Sequence, residues 1–235
     1  MSDPSATSSS SFDSYAEDYE THLQRGLRLS GESSDYFATT RIRRTSTLLK
    51  ALGAPSARVL DYGCGTGNAT PVLRKELSPE LIVSVDPSEE SIHTLLERHS
   101  GPDLNALPLH EHQPAADLDL CHCNRVFHHI PPKERLNATR HVFDSLRPGG
   151  LFFFWENNPW NPATHLVMKL IPFDHDAIKV FPHQARRLLK QAGFTLILTH
   201  YHFIFPKLLA PLRRLEPSLR RLPLGCQYLV LAQKK

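Results

Sequence analysis

The sequence predicts an α/β protein, a mostly parallel sheet with helices on both faces. Apolar runs of strand length alternate with helix-length amphipathic stretches from residue 58 to residue 203, the pattern of βαβ units. The first run, Val-Leu-Asp over 59–61, opens into Tyr-Gly-Cys-Gly-Thr-Gly over 62–67. An acid, Asp86, closes the second run nineteen residues after Gly67. Three glycines permit a tight turn and a close approach of backbone to ligand that a Cβ would block. An acid at the tip of the next strand is where an α/β nucleotide site holds a ribose hydroxyl pair. The glycines are Gly63, Gly65 and Gly67, and Asn68 stands where a dinucleotide fingerprint would place its third glycine.

The elements follow in order. Residues 1–11 are Ser-rich without a basic or apolar leader region, so a disordered tail is expected rather than a secretory signal. The stretch 12–52 reads as a helical lead-in broken at 30–34. Strand one is 58–62 and its helix 68–77. Strand two is 81–86, and a Pro-Ser cap opens the helix 88–99. A weak third strand covers 103–110 and a fourth 119–123. The helix 132–146 ends in Arg-Pro-Gly-Gly over 147–150, before a fifth strand at 151–156. Residues 157–180 interrupt the alternation with prolines and read as an insertion beside the site. A helix at 182–192, a sixth strand at 194–203 and a final strand at 225–233 complete seven strand segments in one domain, 12–235.

Composition narrows the function. A net charge of +3, from 27 basic and 24 acidic residues, gives no global nucleic-acid footprint. The four cysteines lie inside expected core elements, which fits reduced thiols in a cytoplasmic protein. No apolar run approaches the ~20 residues of a membrane span, so no stable membrane insertion is expected. Cys121, His122 and Cys123 do not make a metal site: on a strand the two thiols share one face and the imidazole takes the other. No metal is expected. The segment 204–222 is apolar and basic, as a peripheral membrane element would be. Pro206, Pro211 and Pro217 break any long amphipathic helix there, so a packed flap or dimer contact is expected instead.

The motif over 59–67, with Asp86, resembles motif I of the class I S-adenosylmethionine (SAM) methyltransferases. The resemblance implies a Rossmann-like, seven-stranded sheet whose last two strands form an antiparallel edge pair. It implies SAM as cofactor and Asp61, Gly63, Gly65, Gly67 and Asp86 as its holders, with helix N–H groups facing the methionine carboxylate. The fourth strand runs through Leu-Asp-Leu-Cys-His-Cys-Asn-Arg-Val-Phe-His-His-Ile over 118–130, similar to a stretch common in small-molecule methyltransferases. By that likeness Asn124 lies beside the SAM sulfur and amino group, and His128 and His129 at the acceptor mouth. A histidine pKa near neutrality suits a general base. One of the two imidazoles packing or capping the next helix is the plainer alternative.

The likeness continues. Phe-Asp-Ser-Tyr-Ala-Glu-Asp-Tyr over 12–19 resembles a lead-in that folds over bound SAM, which makes Tyr15 and Tyr19 lid candidates within an N-terminal helical lid, 12–52. Trp-Glu-Asn-Asn-Pro-Trp-Asn-Pro over 155–162 is similar to a Glu-His-Asn-Pro-x-Asn-Pro segment of a bacterial subgroup, with Asn157 in place of its His. Glu156, at a strand's C-terminal end, is then a third base candidate, or a carboxylate that fixes the insertion. Trp155, Trp160 and Phe173 point to a small-molecule acceptor with apolar surface. Two alternatives compete: a non-catalytic SAM-binding or regulatory protein, and a nucleic-acid methyltransferase suggested by Asn158-Pro159-Trp160. The second lacks a basic groove, since the arginines at 41, 43, 44, 213, 214, 220 and 221 read as solvated helix faces.

Overall fold

The structure is a computed structural model and describes residues 30–170 and 177–235. The expected tail, most of the lid with Tyr15 and Tyr19, and Phe173 lie outside these residues. Seven strands form one sheet: β1 (Arg58–Tyr62), β2 (Leu81–Asp86), β3 (Leu104–Pro108), β4 (Leu118–Asn124), β5 (Leu146–Asn157), β6 (Thr195–His202) and β7 (Gln227–Gln233). Their order is β3-β2-β1-β4-β5-β7-β6. β7 runs antiparallel to both neighbours, β5 and β6, and every other pairing is parallel. The antiparallel edge pair expected from the family likeness is therefore present.

Helix α1 (Ser34–Leu52) starts at Ser33, whose side chain accepts the N–H of Tyr36, and stops at Gly53 in the left-handed conformation. Its inward stripe is Ala38, Arg41, Ile42, Thr45, Leu48 and Leu49, one face at helical spacing. α2 (Thr70–Leu77) and α3 (Glu89–His99) cover the same side of the sheet. There Ile42, Leu73 and Leu77 pack on Val59, Leu120, Phe153, Trp155 and Leu229. Ser88 caps α3, with Glu89 and Glu90 in its first turn and Arg98 and His99 in its last, each sign matched to the helix dipole. The other side is covered by α4 (Arg135–Ser145) and α6 (Pro182–Gln191), where Val142, Ala185 and Leu189 meet Cys121, Cys123, Phe152, Phe154 and Tyr228.

Three expectations are corrected. The Arg-Pro-Gly-Gly turn does not precede β5 but lies within it as a bulge: Leu118 pairs with Leu146 and Leu120 with Leu151. The interrupting stretch after β5 carries its own helix, α5 (Pro162–Leu170). The segment 204–222 is not a packed flap. It holds a 3₁₀ helix (Lys207–Leu215) and a short helix α7 (Glu216–Leu219), and neither buries a residue.

Candidate functional site

Alternation along the strands decides which residues meet. Asp61 is in register with His122, and Asn124 with Trp155. Paired residues point to the same side of a sheet. Asp61, His122, Asn124, Asn157 and Gln227 thus project to the α1 side at the C-terminal tips of the parallel strands, where open α/β sheets bind ligands. Beneath α1 they line a cavity of about 310 Å³ together with Gly63, Gly65, Arg41, Tyr36, Phe37 and the chain from Phe203 to Pro206.

The polar floor has unmet hydrogen-bonding capacity. Asp61 Oδ2, Asn124 Oδ1 and His122 Nδ1 are buried with no hydrogen-bond partner among the described residues. Two of these atoms only accept, so they call for a donor from a ligand. Burial, with the Asp86 carboxylate nearby, pushes the Asp61 pKa up to about 7. A cation seated there would reverse that shift. Burial and then the Arg41 guanidinium push His122 down to about 3, so its ring is neutral at physiological pH. Arg41 is itself buried and donates from Nη1 to Gln227 Oε1 at 3.1 Å. The basic run of the sequence predicts a solvated helix face for Arg41, but its position in the inward stripe of α1 puts it over the floor.

The turn between β1 and α2 is built for close approach. Asp86 Oδ2 accepts the N–H of Gly65 at 2.9 Å, and Oδ1 accepts that of Ser88 at 3.0 Å, so β2 holds the glycine turn in place. A Cβ at Gly65 would point into open space, whereas one at Gly63 would come within 2.3 Å of Val126 Cγ2. Gly67 serves packing: its Cβ would meet Leu95 Cγ at 2.8 Å, and it does not line the cavity. Opposite the turn, the wall is aromatic. The Phe37 and Phe203 ring centroids are 4.8 Å apart, and Tyr36 lies edge-on to both. Arg213 stacks on Tyr36 at 4.7 Å and pairs with Glu32 at 2.8 Å.

Of the sequence-predicted residues, Asp61, Gly63, Gly65 and Asn124 converge on the cavity, with Asp86 behind the turn. His128, His129 and Glu156 do not line it. Glu156 pairs in register with Tyr228, on the α4/α6 side of the sheet. There His128 Nδ1 lies 2.8 Å from both carboxylate oxygens, and the His129 ring stacks on His128 at 4.0 Å. Nor do the tryptophans line the cavity. Trp155 is buried against His202, and Trp160 faces solvent beside Phe181 and His183. Sequence reasoning missed Arg41, His122, Asn157 and Gln227. The available signal was strand parity: His122 and Asn157 share a face with Asp61 and Asn124.

The strand order with reversed β7, and a ligand cavity over the β1 and β4 tips, define the class I SAM-dependent methyltransferase fold. SAM is the cofactor of this class, and the unmet acceptors Asp61 Oδ2 and Asn124 Oδ1 beside an uncluttered glycine turn fit its ammonium end. Residues 35–199 match the family described as Methyltransferase domain, and the chain belongs to that family. Similar curated proteins include a trans-aconitate 2-methyltransferase of Azoarcus sp. (strain BH72), 30% identical over 139 residues, 58% of this chain and 53% of that protein. Another is the trans-aconitate 2-methyltransferase of Agrobacterium fabrum (strain C58 / ATCC 33970), 27% identical over 56% of this chain and 51% of its own length. The chain thus spans about half the length of these curated relatives. Among solved structures, a SAM dependent methyltransferase from Archaeoglobus fulgidus aligns with a TM-score of 0.65 at 19% identity, over 86% of this chain and 95% of that one. Magnesium protoporphyrin IX methyltransferase from Synechocystis PCC 6803 with bound SAM aligns with 0.63 at 15% identity, over 100% and 99%.

Proposed function

We propose that the protein transfers the methyl group of SAM to an O, N or S atom of a small-molecule acceptor. The observation that carries this is the charge zoning of the cavity floor. Asp61 and Asn124 offer only acceptors at the glycine turn, and Arg41 offers donors on the α1 side. An amino acid's ammonium and carboxylate ends fit that arrangement. SAM supplies an activated sulfonium methyl group. The chain's own residues then need to orient, exclude water and manage any proton. Asp61 and Asn124 hold the ammonium, Arg41 the carboxylate, and Asp86 keeps the Gly65 turn open and faces the ribose.

His122 is too weakly basic to take a proton from the acceptor, and Asn157 has no base to offer. Among the described lining residues the acceptor therefore meets orienting groups and an aromatic wall rather than a general base. This favours an acceptor atom that is nucleophilic without prior deprotonation, such as a carboxylate oxygen. The curated relatives named for trans-aconitate, a tricarboxylate, agree with that class. The His128–Glu156 pair is assigned to fixing the chain after β4.

Titration calorimetry with S-adenosylhomocysteine on the wild type and on Asp86→Ala tests the cofactor half. Loss of a charged contact weakens binding by roughly 1.5–3 kcal/mol, tenfold or more. Methyl-labelled SAM with pooled carboxylic acids, thiols and amines tests the acceptor half. Cofactor binding without label transfer to any pool would favour the second reading, a non-catalytic SAM-binding protein, which the lack of a described base makes worth separating.

A further inference from the structure

The chain between β6 and β7 is inverted in polarity. Its hydrogen-bonding groups face the protein. Glu216 accepts the N–H groups of Ile204 and Phe205 at 3.1 and 3.0 Å, and Arg213 Nε donates to the Phe205 carbonyl. Farther along, Asn158 and Asn161 donate to the carbonyls of Pro223, Leu224 and Gly225. Its leucines face outward. Leu208 is 90% exposed, and Leu209, Leu212, Leu215, Leu222 and Leu224 are each exposed by more than a third. Leu209, Leu212 and Leu215 recur every three residues, the spacing that stacks side chains along one edge of a 3₁₀ helix. An element that only meets water would have the opposite arrangement.

Charge says what covers this face. Lys207, Arg214 and Arg221 are exposed around the leucines, with Arg220 half-buried beside them. The one acid of the segment, Glu216, is turned inward to the backbone. Leucines ringed by cations, with no outward acid, suit the boundary of an anionic bilayer, where apolar groups enter the acyl edge and cations meet phosphates. The leucine face also adjoins the cavity: Phe205 and Pro206, immediately before it, line the wall. The family match ends at residue 199, so the segment lies outside it. Among the described residues no helix is long and apolar enough to cross a membrane. Contact of this kind is therefore peripheral.

We propose that residues 206–224 dock this protein on an anionic lipid surface, with the cavity mouth beside the contact. The inference rests on the polarity of the segment alone and stands whether or not the chain transfers methyl groups. Co-sedimentation of the full chain with vesicles tests it, comparing phosphatidylcholine alone with phosphatidylcholine and phosphatidylglycerol in equal parts. The expected result is binding to the mixed vesicles only, weakened by salt. Leu208→Asp/Leu212→Asp and, separately, Arg220→Glu/Arg221→Glu each lower the partition by about tenfold or more. Their thermal melts and S-adenosylhomocysteine affinity stay at wild-type values, since none of these four residues lines the cavity. No binding to the mixed vesicles, or equal binding by the variants, would overturn the proposal. So would a wild-type dimer that ignores vesicles and becomes monomeric in the leucine variant, which would make the face a contact between copies.

Discussion

His128 and Glu156 form a buried pair on the side of the sheet opposite the cavity. The imidazole Nδ1 lies 2.8 Å from both carboxylate oxygens, and the His128 backbone N–H donates to Oε2 at 2.9 Å. Glu156 also accepts the N–H of Asn157 at 3.1 Å. One carboxylate thereby ties the chain after β4 to the tip of β5 and sets the direction of Asn157. Glu156→Gln is expected to destabilise the fold by about 3 kcal/mol, because it replaces a charged acceptor of several buried hydrogen bonds. Thermal unfolding measures the loss. Affinity of the still-folded fraction for S-adenosylhomocysteine should change by less than about threefold. A collapse of affinity at unchanged stability would return the pair to the active site.

Asp61 works against the fold of the ligand-free protein. Its pKa is about 7 in the folded chain against 3.8 for an unperturbed aspartate, so between these values the folded state holds the proton more tightly. Stability from this group is full below about pH 4 and is lost as pH rises through 7, by roughly 4 kcal/mol in all. Asp61→Asn is therefore expected to gain on the wild type progressively from pH 4 to pH 7 in denaturant titrations. The same variant should bind S-adenosylhomocysteine at least about tenfold more weakly. The difference between the two proteins is the quantity to follow. Burial lowers the pKa of His200 and His202 to about 4 and about 3, with Arg220 and Arg44 adding to it, and these groups cost stability as pH falls.

Arg41→Met removes the guanidinium from beneath α1 and leaves a chain of similar length to fill the space. Affinity for S-adenosylhomocysteine should fall by about tenfold or more, and far less for adenosine, which lacks the carboxylate. Equal losses for both ligands would mean that Arg41 only shapes the cavity.

The first two glycines of the turn should separate in their effects. Gly63→Ala places a Cβ 2.3 Å from Val126 Cγ2 at φ +73°, and its cost is expected to be about 3 kcal/mol of stability. Gly65→Ala meets no atom within 4 Å and costs about 1 kcal/mol, yet its methyl group faces the ligand's space. Melting temperature should drop mainly in the first. In the second, S-adenosylhomocysteine affinity should drop out of proportion to stability.

Much of the molecule is legible in the chain alone. The alternation of apolar runs gives βαβ units because a strand buried on both faces can return parallel only through a crossover. The glycines at 63, 65 and 67 and the acid at 86 locate the cofactor end because backbone conformation and close approach are local properties of a few residues. The capped start of α3 at Ser88 is equally local. The family likeness supplies the reversed edge strand, which spacing alone does not.

Only the tertiary structure decided which side chains share the cavity. Glu156 and Asn157 are neighbours in sequence, yet a strand sends them to opposite sides of the sheet, and the cavity lies on one side only. His122, read within a Cys-His-Cys run, gains its unpartnered nitrogen and depressed pKa from burial beside Arg41 across 81 residues of chain. Arg41 and Arg43 look alike in a basic helix; a rotation of two residues about the helix axis buries the first over the cavity and leaves the second exposed with Glu76. The leucines at 208–224 read as core because apolar residues usually are. Their exposure follows from anchors elsewhere, Glu216, Asn158 and Asn161, which hold the polar side of the segment against the protein. Local sequence determines the backbone's options and the parity of each side chain. Long-range packing determines which parity becomes a site, because burial and field depend on what arrives from other elements.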